Sequence, residues 1–182
     1  MKGVQRIAIE VLLTLILMYG SGQLAIEFPG LNLPITLQSM LAILLPLVFN
    51  RRNAAGGILL YLILAALGAP ILATGVGGFK YFLSDSGGYL VGFYLMAITT
   101  TAIKPHIKQP RVLIVFVIFI LQHLLLTVVG LSWIWISGSS EIAFDTHISP
   151  FMPGIMVKSF IGALCCEAFE RVKSLLTTYR VL

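Results

Sequence analysis

The stretch from about Val112 to Leu131 carries no Asp, Glu, Lys or Arg. About 20 apolar residues in a row is the length that crosses the hydrocarbon core of a bilayer as one helix. The rest of the chain is built in the same way. Of its 182 residues, 58% are hydrophobic and only 10% are charged, against about 25% charged in an ordinary soluble domain. So few charges do not cover a surface that faces water. Lipid is the solvent that suits this composition, and lipid demands that backbone polar groups be satisfied inside the protein. The expected fold is an all-α membrane protein forming a single polytopic domain over residues 1–182, with no internal repeat.

Six apolar segments follow one another: about Ile7 to Ala25, Thr36 to Phe49 with Pro46 as a kink, Ala54 to Leu67, Tyr89 to Ile103, Val112 to Leu131, and Gly154 to Ala168. Lys2 and Arg6 before the first imitate a signal peptide. The run behind them is long, contains Glu10 and has no clear small-x-small cleavage site, so it is read as a retained first helix. The second and third segments are short for a full span. Beside them lie apolar stretches broken by Gly and Pro, around Pro34 and Gly75–Gly78. Non-helical backbone at membrane depth must be buried in protein or line a cavity. These stretches are therefore expected to fold back over the bundle, the alternative being plain external loops.

The net charge of +5 is a statement about topology. Lys2 and Arg6, then Arg51 and Arg52, then Lys104, Lys108 and Arg111, then Arg171, Lys173 and Arg180 alternate with loops that hold Glu27, Lys80 and Asp85, and Glu141 and Asp145. With six helices, ten of the twelve basic residues fall on one side. The positive-inside rule makes that side, and both termini, cytoplasmic. The Gly/Pro-rich loops then face outward and cap an outward-facing cavity. The expected location is the plasma (inner) membrane, multi-pass, and no nucleic-acid partner is implied.

Two basic residues escape the cytoplasmic side. Lys80 follows Gly77-Gly78-Phe79 in an outer loop, where solvation accounts for it. Lys158 sits in the apolar sixth segment after Pro153-Gly154. A lysine at mid-span costs roughly 3 kcal/mol to insert. It either snorkels to the interface or is held in an outward cavity for an anionic or carbonyl-bearing solute. Gln122 and His123 lie mid-way along the fifth segment, and either bond between helices or line a cavity. Glu10 is placed to pair with Arg6 or Arg52, or to meet a partner protein. Cys165 and Cys166 are adjacent in an apolar run and read as small fillers. Gly88 and Gly92 form a small-xxx-small pair suited to close helix packing. The sequence has no G-x-x-x-x-G-K-[ST] run, no metal-ligand spacing and no G-x-S-x-G elbow. It reads as a non-enzymatic binder of something small, without cofactor or metal, whose uptake would be powered from elsewhere.

Four blocks carry a resemblance: Pro34-Ile-Thr-Leu-Gln38, Gly68-Ala-Pro-Ile-Leu72, Gly75-Val-Gly-Gly78 and Ser86-Gly-Gly-Tyr-Leu-Val-Gly-Phe93. In that order and spacing they resemble the BioY family, the biotin-specific substrate-binding subunits of energy-coupling-factor (ECF) transporters. Pro150-Phe-Met-Pro-Gly-Ile-Met-Val-Lys158 resembles the family's helix-six signature, and the likeness runs over about residues 31–168. The resemblance implies six helices, a cavity near the outer face, and assembly with a transmembrane coupling subunit and two cytoplasmic ATPases. It implies that Lys158, Tyr89, Gln38, His123 and the loop glycines Gly75, Gly77 and Gly78 line or close a biotin site. Biotin's carboxylate, polar ureido ring and apolar sulfur ring suit one cation, a few hydrogen-bonding side chains and apolar walls.

Two positions depart from the family pattern. Ile155 stands where the signature usually has an acidic residue, three positions before the lysine, so either Asp85 or another acceptor takes that role or the ligand contact is altered. The first segment lacks the Ala-xxx-Ala pattern often used for docking. Two further expectations stay open beside biotin: a subunit for another small carboxylated solute, or a ligand-free structural membrane protein in which Tyr89 and Lys158 pack together.

Overall fold

In the first helix the usual pattern of a soluble protein is inverted. The computed structural model describes residues 3–25, 36–107, 111–137 and 151–179, with backbone alone at 177–179. Helix α1 (Gly3–Gln23) buries Thr14, Met18, Ser21 and Gly22, spaced as one helical face, and leaves Leu12, Leu13, Ile16 and Leu17 outward. Small and polar residues inside with leucine outside is what a lipid solvent selects, because close helix packing replaces the hydrophobic drive. The inward Thr14 satisfies its hydroxyl on the Glu10 carbonyl at 2.8 Å. It packs against Gly57 so closely that a Cβ there would fall 2.6 Å from the Thr14 Cβ.

Helix α2 (Gln38–Val48) is the buried axis of the bundle, with nine of its 11 residues inaccessible. It is too short to cross a bilayer, about 16 Å long at 1.5 Å per residue, and Pro46 lies in its last turn. Helix α3 (Arg51–Ala66) starts three residues before the apolar run at Ala54. The cause is a cap: the Asn50 side-chain oxygen accepts from the Arg52 and Asn53 amides at 3.1 and 3.4 Å. After α3 the chain passes a 3₁₀ turn at Ala73–Gly75 and the single-turn helix α4 (Lys80–Leu83). Helix α5 (Gly87–Ile103) follows, then a 3₁₀ turn at Lys104–His106, α6 (Val112–Ser137) and α7 (Phe151–Tyr179).

The described residues are helical and contain no strand. Helices α1 and α6 and residues Phe151–Leu176 of α7 are long and apolar enough to cross a membrane. Both late helices outrun the segments expected of them. Helix α6 continues to Ser137, and α7 starts at Phe151, with Pro153 and Gly154 inside its first turn, where no intrahelical N–H bond is lost. Beyond Ala168, α7 continues on Glu167–Arg171 and Glu170–Lys173 pairs along its surface. Pro34, Glu27, Lys108, Glu141, Asp145, Pro150 and Arg180 lie outside the described residues.

Glycine sets the closest seam. A Cβ on Gly88 would meet the Val129 carbonyl of α6 at 2.9 Å, and one on Gly92 would meet the Leu126 side chain at 2.5 Å. The pair flagged in the sequence is thus where α5 lies against α6. On the facing helix, Gly130 leaves the space taken by the Tyr89 ring.

One end of the bundle is closed by polar caps. Glu10 accepts from Arg6 at 2.9 Å, from the Asn53 side chain at 2.7 Å and from the Asn50 amide at 3.3 Å, so α1 is tied to the α2–α3 turn and Arg52 is not the partner. The Lys104 ammonium donates to the Pro46 and Phe49 carbonyls at 3.0 and 2.7 Å, capping the C-terminal end of α2. Burial, then the neighbouring Lys173 charge, holds the Lys104 pKa below its ordinary value. Cys165 and Cys166 are free thiols, and only Cys166 is buried, so the filler reading fits that one alone.

Candidate functional site

At the opposite end the helices part around a cavity of about 290 Å³. Its walls come from the start of α2 (Gln38 and Ser39, with Thr36 before them), the α3–α4 loop (Leu72, Ala73, Thr74 and Val76) and Tyr81 of α4. The start of α5 adds Ser86, Tyr89, Leu90 and Phe93; α6 adds His123, Leu126 and Thr127; α7 adds Phe151, Ile155 and Lys158. Apolar walls with a few convergent polar groups are the usual make-up of a small-molecule site.

Lys158 lies two turns into α7, which carries its side chain inward. Its ammonium donates to the Ser39 hydroxyl at 2.9 Å and to the Thr36 carbonyl at 3.4 Å. Among the described residues it makes no ion pair. Ile155, one turn earlier on the same helix, also faces the cavity and is only 8% exposed. His123 is buried between helices, with Nδ1 2.8 Å from the Phe119 carbonyl and Nε2 3.3 Å from the Ser39 hydroxyl. It bonds to Ser39 of α2 and its side chain lies at the cavity wall. Its neighbour Gln122 turns away to accept from Thr99 of α5 at 2.9 Å and serves as interhelical glue.

Gln38 is spent on architecture as much as on the cavity. Its amide donates to Tyr61 Oη at 2.6 Å and to the Met18 carbonyl at 3.3 Å, and its oxygen accepts from Thr36 at 3.3 Å. Tyr61 in turn donates to the Ile71 carbonyl at 2.9 Å, and Gln23 donates to the Leu72 carbonyl at 3.1 Å. These two bonds hold the α3–α4 loop over the cavity. The loop closes on itself through Leu72 N–H to Val76 O at 2.9 Å and reaches back to α3 through Gly78 N–H to Ala65 O at 2.7 Å. Gly78 has φ +112°, where only glycine is at ease, and a Cβ on Gly77 would collide with the Ala69 carbonyl. Gly75, Gly77 and Gly78 thus shape the loop, while the cavity is touched by Ala73, Thr74 and Val76 between and before them.

Asp85 is not among the lining residues. It sits in the α4–α5 turn, which is fastened to α6 by Trp133 Nε1 donating to the Ser84 carbonyl at 3.0 Å. That turn delivers Ser86 and Tyr89 to the cavity instead. Lys80 is exposed, its ammonium 5.2 Å from the centre of the Tyr81 ring. Sequence reasoning missed Ser39, Thr36, Tyr81, Ser86 and Thr127, ordinary residues whose importance comes from where the fold puts them. Among the described residues no group of three or more His, Cys, Asp or Glu is placed to hold a metal ion.

Comparison with known proteins fits this architecture. The "Biotin transporter BioY2" of Lactococcus lactis subsp. cremoris (strain MG1363) is 28% identical over 143 residues, covering 78% of each chain. The "Probable biotin transporter BioY" of Bacillus subtilis (strain 168) is 28% identical over 154 residues, covering 80% of this chain and 79% of the relative. The crystal structure of an S-component for biotin from an ECF-type ABC transporter superposes with a TM-score of 0.78 at 22% identity, over 94% of this chain and 95% of that one, a likeness of fold. The model of the BioY family matches residues 2–174, nearly the whole chain, and the chain therefore belongs to the BioY family.

Proposed function

We propose that this protein is the membrane-embedded substrate-binding component of a biotin uptake transporter. The observation that carries the reading is the cavity itself, in a BioY-family chain whose relatives are named biotin transporters. It offers one cation, Lys158, hydroxyls from Ser39, Tyr81, Ser86 and Tyr89, and apolar walls from Leu90, Phe93, Leu126 and Ile155. Those are the groups that a carboxylate, a ureido ring and a thioether ring call for. Lys158, Tyr89, His123 and Gln38 form the substrate-binding set, and the loop of Gly75, Gly77 and Gly78 closes over it, with Asp85 in the turn beside Tyr89. The open space between Tyr89 and Lys158 speaks against a ligand-free scaffold.

The wider assignment rests on the charge pattern for its topology and on the family likeness for its setting and partners. Residues 1–182 form one domain with six membrane crossings, both termini cytoplasmic and the cavity outward, in the plasma (inner) membrane. The family likeness points to an ECF coupling subunit and cytoplasmic ATPases as the source of energy for transport, and the sequence has no phosphate-cradling motif of its own. Ile155 favours one second reading, a subunit for a different small carboxylated solute. The test is equilibrium binding of labelled biotin to the purified chain in detergent, wild type beside Lys158→Ala. Saturable binding lost in the variant supports biotin. A folded wild type that does not bind biotin rejects it in favour of the second reading.

A further inference from the structure

A second recess opens at the other end of the bundle, between the start of α6 and the last turns of α7. It holds about 390 Å³ and is lined by Arg111, Val112, Glu167, Glu170, Arg171 and Ser174. Its carboxylates are matched along their own helix: Glu167 pairs with Arg171, and Glu170 lies 3.5 Å from the Lys173 ammonium. Arg111 is not matched. Its carbonyl accepts from the Val115 amide at 3.1 Å and fixes it to the helix start, but its guanidinium makes no hydrogen bond or ion pair among the described residues. The recess therefore carries one positive charge in excess. Lys104, close enough to Lys173 and Glu170 to feel their charges, adds a second cation that is docked on carbonyls alone.

Helix α6 fixes the depth of this recess. It is long and apolar enough to cross a membrane, and Arg111 immediately precedes its first residue. The guanidinium thus stands where hydrocarbon gives way to headgroups. On the hydrocarbon side α6 exposes Leu113, Ile114 and Val117, and α7 exposes Ile161 and Leu164. A basic recess between helices at that level, with apolar helix surface beneath it, suits a phospholipid better than a free anion.

The lining also selects the kind of headgroup. A phosphodiester carries one negative charge, which one unmatched guanidinium neutralises through two parallel hydrogen bonds. A phosphate monoester would bring further negative charge up to Glu167 and Glu170. Carboxylates accept hydrogen bonds, so they suit a headgroup that offers hydroxyl donors. We infer that the recess between α6 and α7 seats a monoanionic phospholipid of the phosphatidylglycerol type. Its phosphodiester lies on Arg111, its glycerol hydroxyls turn to Glu167 and Glu170, and its acyl chains run along the apolar faces of α6 and α7. On the topology proposed above this lipid belongs to the inner leaflet. The site itself is independent of the biotin reading.

The experiment is native mass spectrometry of the full-length chain in detergent, titrated with dioleoyl-phosphatidylglycerol, dioleoyl-phosphatidylethanolamine or dioleoyl-phosphatidylcholine. Phosphatidylglycerol is expected to bind about fivefold more tightly than either zwitterionic lipid, whose ammonium cancels the phosphate charge. Arg111→Gln is expected to remove that preference. Arg52→Gln, an exposed arginine at the same end but outside the recess, is expected to keep it. Neither side chain has a protein partner to lose, and an unchanged melting temperature checks that both variants are folded. Equal binding of the three lipids overturns the inference. So does tighter binding of phosphatidylethanolamine, which would make the carboxylates the recognising groups. Equal loss in Arg52→Gln and Arg111→Gln also overturns it, because the attraction is then spread over the whole basic face. The headgroup without its chains, glycerophosphoglycerol, is expected not to compete. Its competing at the same concentration as the lipid would mean a soluble anion site and would overturn the lipid assignment.

Discussion

The two ends of this bundle use the same kinds of side chain for opposite purposes. At one end Glu10 is surrounded by Arg6, Asn50 and Asn53, and Lys104 is docked on two carbonyls at the end of α2. Each of these two charges has partners from the protein itself. At the other end, among the described residues, Lys158 meets only Ser39 and a backbone carbonyl, beside open space. On the proposed function, the difference separates a charge that organises the fold from one held for a ligand. Lys104 and Lys158 each meet two neutral acceptors, so what sets them apart is the open space beside Lys158.

The sharpest way to break the comparison is at the seam on which both ends depend. Gly88→Ile pushes a side chain into the Val129 carbonyl and the Trp133 side chain of α6, and backbone does not yield. A loss of about 3 kcal/mol or more, or failure to fold, is expected in thermal unfolding in detergent. Next comes Lys104→Met, which strands the Pro46 and Phe49 carbonyls. It should lower stability by about 2 kcal/mol, while the folded fraction binds biotin as before. Lys158→Met should have the opposite sign, with stability unchanged or raised by about 1 kcal/mol and biotin binding lost. A lower melting temperature in that variant would mean that Lys158 is a structural cap like Lys104. The smallest effect is expected for Glu10→Gln, about 0.5 kcal/mol, because Arg6 is largely exposed and the amide keeps most of the bonds.

The helical segments were legible as apolar runs, and three of the helices, α1, α6 and α7, are long and apolar enough to cross a membrane. Their ends were not, because ends are decided by caps. The start of α3 depends on the Asn50 side chain, and Arg51 and Arg52, which look like a boundary, are its first turn. Likewise Pro153-Gly154 looks like a helix break and lies inside the first turn of α7. In the site, Lys158 and His123 stood out because polar groups at mid-span are costly, and Tyr89 and Gln38 stood out through the family likeness. Ser39 did not, because a serine in an apolar helix is unremarkable until a lysine and a histidine from two other helices converge on it. Asp85 was overvalued for its charge, and the fold uses its neighbour Ser86 at the cavity.

The bond from Trp133 to the Ser84 carbonyl has an optical consequence. The chain has two tryptophans, and the other, Trp135, is 76% exposed on the outside of α6. Replacing Trp135 with Phe leaves a single indole, fastened to the turn that carries Ser86 and Tyr89 into the cavity. Its emission is then expected to follow movements of that turn, against a background free of the exposed Trp135 ring.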